Sequence, residues 1–167
     1  VYPGFPGDVR NASAYPFPVQ YEIAEGVDIK KLVRGENKEA LLEPVLTAAR
    51  KLERMGCRAI AAECGYFAWF QKEIAASVNV PVFASSLLQV PLAQAIIGDD
   101  EVVGILVAEG DELYDRHLTS VRVQLGSNYV VQGAKDGGRC PQFDSLWTKD
   151  LRPEIPTADY ATAEHDL

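Results

Sequence analysis

The sequence predicts an α/β fold built of βαβ units around a mostly parallel sheet. Three observations carry this expectation. Short apolar runs at residues 58–63, 80–84 and 101–108 read as buried strands. Segments with helical apolar spacing separate them, the alternation that βαβ units produce. The chain has 167 residues, 47% apolar and 24% charged, enough for one core in a domain of ~100–200 residues.

The elements follow in order. Residues 1–18 hold Pro3, Pro6, Pro16 and Pro18 with Gly4 and Gly7, a density that excludes helix and reads as loop. Residues 19–24 alternate apolar and polar, as a strand does. Asn37 can cap a helix running to about Met55, with Leu41, Leu42, Val45, Leu46, Ala49, Leu52 and Met55 on its apolar stripe. Pro44 must start or kink part of it, and Gly56 ends it. The run at 58–63 is a buried strand. From Gly65 a helix is expected, with Phe67, Phe70, Ile74 and Val78 at helical spacing. A buried strand at 80–84 leads to Ser85-Ser86 and a helix over 87–97, with Pro91 in its first turn. Residues 101–108 form the strongest strand. Asp111 can cap a helix to about Val123, and residues 128–134 read as another strand. Residues 136–141 read as a turn-rich loop, and 143–147 as the start of a short helix.

Charge and cysteine usage narrow the function classes. With 24 acidic and 16 basic residues the net charge is −8, which disfavours nucleic acid and anionic membranes as main partners. No apolar run approaches the ~20 residues of a membrane-spanning helix. Three cysteines are no disulfide framework, so a reducing compartment, the cytoplasm, is expected. There is no paired-His spacing and no CxxC for zinc. Glycine-rich phosphate motifs are absent. His117, beside Arg116, reads as a solvated helix position. Trp69, Phe67 and Phe70 read as core packing, and Cys57 and Cys140 as incidental cysteines.

In parallel sheets, ligands sit at the carboxyl ends of strands, beside helix starts. Two such ends stand out. Cys64 in Glu63-Cys64-Gly65-Tyr66 would enter a helix, whose dipole and free N–H groups would lower its thiol pKa. An inert buried thiol is the alternative. Gly65 would admit a close ligand. Ser85 and Ser86 offer hydroxyl and N–H groups for a carboxylate, or simple capping. Together they suit proton removal α to a carboxylate, with a base beside groups that stabilise the carbanion.

Residues 56–68, which contain Glu63-Cys64-Gly65-Tyr66, resemble the first-cysteine segment of the aspartate/glutamate racemase superfamily. Residues 80–91 and 102–108 resemble later strands of that fold, and Pro6-Gly7-Asp8-Val9-Arg10-Asn11 is similar to an N-terminal loop of one branch, with Arg10 in place of its usual Gly. The resemblance implies two similar α/β domains with the active site in the cleft between them, divided here into residues 1–98 and 99–167. It implies a cofactor-independent racemase or isomerase, commonly oligomeric, in which Cys64 transfers a proton of a small carboxylate substrate. It assigns substrate contacts to Asn11, Gly65, Tyr66, Ser85 and Ser86. The family's relatives add a decarboxylase or cis–trans isomerase as alternatives, and a non-catalytic binding domain is a further one. The family's first strand and second cysteine have no match here, and residues 157–167 look like the start of a helix. A segment of a longer protein is therefore expected.

Overall fold

A computed structural model describes residues 9–135 and 161–162. The contacts divide it into two units. Of the described residues, one takes in Val19–Val103 and Glu112–Asn128; the other takes in residues 9–18, Gly104–Asp111, 129–135 and 161–162.

The first of these units holds most of the apolar core. Asn37 accepts a hydrogen bond from the Ala40 N–H and starts a 3-10 turn, Lys38–Leu41, that runs into helix α1, Leu42–Arg54. Pro44 stands in the first turn of α1, where its missing N–H costs little. Val45, Leu46 and Ala49 bury the apolar stripe. The helix ends at Gly56 with φ +88°. Gly56 N–H bonds the Glu53 carbonyl and Cys57 N–H bonds the Leu52 carbonyl, the paired bonds of a Schellman end.

Strand β1, Ile60–Ala61, follows and pairs in parallel with β2, Val82–Phe83, in the register Ile60 with Val82 and Ala61 with Phe83. Between them run a 3-10 helix, Gly65–Phe70, and helix α2, Gln71–Ser77. Phe70, Ile74 and Val78 face the core. After β2, Ser85 caps the 3-10 turn Ser86–Gln89, which leads into α3, Val90–Ile96, with Pro91 in its first turn. Strand β3, Val103–Val107, whose residues after Val103 belong to the other unit, lies beside β4, Tyr129–Gly133. The bonds Val103 N–H to Asn128 O and Ala134 N–H to Val107 O climb both segments together, as in a parallel pair.

The protein is therefore α/β with short strand pairs and helical crossovers. Several expectations change. Residues 19–24 form no strand with any of the described residues. The helix expected from Asp111 to Val123 is α4, Asp115–Ser120, preceded by a 3-10 turn at Gly110–Glu112. Its first turn is closed by His117, whose Nδ1 accepts from the Tyr114 N–H at 3.0 Å. The helix expected from Gly65 opens as 3-10 and becomes α only at Gln71, since five of the six residues in that segment are aromatic or Gly, which favour an α start weakly. Cys140 and the short helix expected at 143–147 lie outside the described residues. No helix among the described residues is long and apolar enough to cross a membrane.

Candidate functional site

Parallel pairing sets the carboxyl ends of β1 and β2 side by side. The Ile60 N–H bonds Pro81 O at 2.9 Å and the Ala62 N–H bonds Phe83 O at 3.2 Å. Two residues beyond the second of these bonds, Cys64 stands extended (φ −108°, ψ 127°) at the entry to the 3-10 helix. Two residues beyond Phe83, Ser85 stands in the same role before its own turn. A Cβ built on Gly65 would lie 3.5 Å from Ser85 Oγ. The hydroxyl of one strand end thus packs on the backbone that follows the thiol of the other.

Ser85 is buried, and its Oγ accepts from the Leu87 N–H at 3.2 Å. Ser86 and Gly65 are exposed, and Cys64 is half-buried. The thiol pKa does not fall, as the strand-end position led us to expect. Burial pushes it up to about 11, and the Glu63 carboxylate adds to the rise, against a lowering by the Tyr66 N–H. A two-turn 3-10 start aligns few peptide dipoles, too few to offset desolvation of a thiolate.

The Tyr66 ring is buried and meets His117 edge-on at 5.5 Å. It reaches the site through its backbone. Asn11, in the other unit, accepts from Ser13 N–H at 3.1 Å and Ser13 Oγ–H at 2.7 Å, capping the turn Ala12–Ala14. The structure brings Cys64, Gly65, Ser85 and Ser86 together within one unit.

Behind the 3-10 helix lies a cluster that the sequence reading missed. His117 is wholly buried, not solvated. Its ring lies 5.1 Å from Trp69 and 6.0 Å from Tyr114. Because Nδ1 accepts the Tyr114 N–H, Nε2 carries the proton, and it finds no partner among the described residues. Burial, with Lys38 and Arg116 nearby, pulls the His117 pKa down to about 4, against the opposing Tyr114 carbonyl, which lies 3.3 Å from Nδ1 and would accept from a protonated ring. Lys38 is also buried. Its ammonium donates to Leu32 O at 2.9 Å and Val33 O at 2.6 Å and lies 5.6 Å from the Trp69 ring and 5.4 Å from the Tyr114 ring. Gln71 is the third missed residue. Its amide donates to Val82 O at 3.1 Å and accepts from the Ala84 N–H at 2.9 Å. One signal was available for all three: each is a polar residue set on or beside the apolar stripe of its helix. Among the described residues, no three His, Cys, Asp or Glu side chains gather to hold a metal.

No family model and no solved structure matches the chain. It is similar to a protein named dimethylsulfoniopropionate lyase from Durusdinium sp. clade D, 30% identical over 81% of this chain and 46% of the relative. It is also similar to dimethylsulfoniopropionate lyases 6 and 3 of Emiliania huxleyi (strain CCMP1516), each 29% identical over 89% of this chain and 39% of the relative. The chain spans less than half the length of these curated relatives. The names overturn the assignment to the aspartate/glutamate racemase superfamily and with it the racemase and isomerase activity: the relatives are lyases. The decarboxylase, cis–trans isomerase and inactive-domain alternatives gain no support either. The reason is chemical. A base beside a group that holds a carboxylate would serve any reaction that begins with loss of an α-proton, so expecting such a pair does not say whether a proton returns or a leaving group departs.

Proposed function

We propose that the chain is part of a lyase that cleaves dimethylsulfoniopropionate to dimethyl sulfide and acrylate. The names of the relatives supply the substrate class. The observation that carries the reading is the packing of Ser85 Oγ on Gly65, which sets a hydroxyl beside the backbone that bears the Cys64 thiol.

In this reading Ser85, Ser86 and the backbone at Gly65 hold the carboxylate, and the N–H groups that open a helical turn have no intrahelical partners to lose. Cys64, as thiolate, takes the proton on the carbon next to the carboxylate. The C–H electron pair becomes the new C=C bond of acrylate. The C–S pair leaves with sulfur, which turns the sulfonium into a neutral sulfide. Groups on the carboxylate stabilise the charge that builds there on the way. The substrate's own sulfonium cation favours the thiolate when bound, which offsets the high pKa of the free thiol. An elimination needs one base and no acid on the opposite face, so one cysteine suffices.

Asn11 and Tyr66 are kept as proposed substrate contacts. The organisation into two similar α/β domains, divided between residues 98 and 99, a homo-oligomeric assembly and a reducing, cytoplasmic setting belong to the same proposal. The test is release of dimethyl sulfide into the headspace by the purified full-length protein given dimethylsulfoniopropionate. Cys64→Ala should lower kcat by about a thousandfold. No sulfide from the wild type, or an undiminished rate in the variant, overturns the proposal.

A further inference from the structure

We infer that Gln71 is a positioning residue that holds the Ser85 end of β2 in register with the Cys64 end of β1. The inference rests on the proposed lyase reading, because it concerns the same pair of strand ends.

The geometry is a closed ring. From Cys64 the chain runs through the 3-10 helix Gly65–Phe70 and reaches Gln71, the first residue of α2. There the side-chain amide turns back to β2. It donates to Val82 O at 3.1 Å and accepts from Ala84 N–H at 2.9 Å. The ring closes where Ser85 Oγ packs on Gly65. An amide that bonds the carbonyl of residue i and the N–H of residue i+2 copies the pattern of a neighbouring strand. Gln71 therefore does for one edge of β2 what β1 does for the other, where Ala62 N–H bonds Phe83 O. β2 is two residues long, so few other bonds fix its register. Gln71 is buried, and water does not compete for either bond. A slip of the Ala84 peptide would carry the Ser85 hydroxyl off the Gly65 backbone, and the effect would fall on carboxylate binding rather than on the thiol.

The test compares Gln71→Leu, which keeps the volume and removes both bonds, with Gln71→Glu, which keeps only the acceptor for Ala84 N–H. Both are made in the full-length protein. Each variant is read by thermal midpoint, by kcat and KM for sulfide release, and by the propionate concentration that half-protects Cys64 from iodoacetamide. Gln71→Leu should raise KM and the propionate half-protection concentration at least tenfold and change kcat less than threefold, with Gln71→Glu between it and the wild type. A lower midpoint with KM and propionate protection within twofold of wild type overturns the inference, since a structural role alone gives that result. If Gln71→Leu does not fold, Gln71→Glu carries the comparison by itself. If the wild type releases no sulfide, the lyase reading fails and the propionate arm still judges Gln71: equal protection in wild type and variant, or none in the wild type, overturns the inference.

Discussion

Acidification should destabilise this protein through His117, by an amount the structure allows us to work out. Below pH 6.5 an unfolded chain binds a proton on this imidazole. The folded chain resists until about pH 4, because charging the ring would bury a cation among Tyr66, Trp69 and Tyr114 and near Lys38 and Arg116. It would also break the bond from Tyr114 N–H, since a protonated Nδ1 cannot accept. The folded pKa is depressed, so this contribution is whole above pH 6.5 and is lost as pH falls toward 4. Two and a half pH units at 1.36 kcal/mol each give about 3 kcal/mol, a large share of a stability of ~5–15 kcal/mol. The assay is urea unfolding at steps between pH 7.5 and 4, on wild type and on His117→Asn. The variant keeps an acceptor for the Tyr114 N–H and has no titrating group there, so the acidic residues cancel in the difference. The wild type should lose about 3 kcal/mol more than the variant over this range. Parallel stability curves, within about 1 kcal/mol, would refute the burial argument.

Two further expectations follow from the same unit. The Cys64 thiol, held up to about 11, should react with iodoacetamide about tenfold faster for each pH unit gained from 7 to 10; a rate that levels off near pH 8 contradicts this. Lys38→Met should cost about 2–3 kcal/mol in urea unfolding at pH 7, because the Leu32 and Val33 carbonyls lose a buried charged donor; a loss below about 0.5 kcal/mol would show that water replaces the ammonium.

Most of the fold was legible because its signals are local. Asn37, Gly56 and Pro91 punctuate helices where capping and φ preferences require them. The apolar stripe of Val45, Leu46 and Ala49 needs only its own helix to be read. Residues 19–24 show the limit. Alternation makes a segment fit for a sheet, but a strand exists only where a partner edge lies alongside, and that is settled by distant residues. The short α4 shows the same limit. Asp111 is a competent cap by type, yet His117 gives the Tyr114 N–H its acceptor and fixes the start four residues later.

The site divides along a similar line. Placing Cys64 and Ser85 at adjacent strand ends followed from the topology rule alone, because parallel strands joined by one crossover must end on the same side. The thiol's pKa did not follow, since it depends on how deeply a neighbouring turn buries the sulfur and on the nearby Glu63 charge. The reaction did not follow either. In the proposed reaction, removal of an α-proton asks for a base and a carboxylate cradle, and Cys64 and Ser85 are the candidates that the two strand ends offer. What happens next depends on the β-carbon of the substrate: a sulfonium there leaves with its electron pair, whereas a carbon without a leaving group can only regain a proton. That choice is written in the substrate and in the residues around its far end, not in Cys64 or Ser85. In the proposed lyase the two strand ends would serve the first step of the mechanism, and its class would be decided by which small molecule fits beyond them.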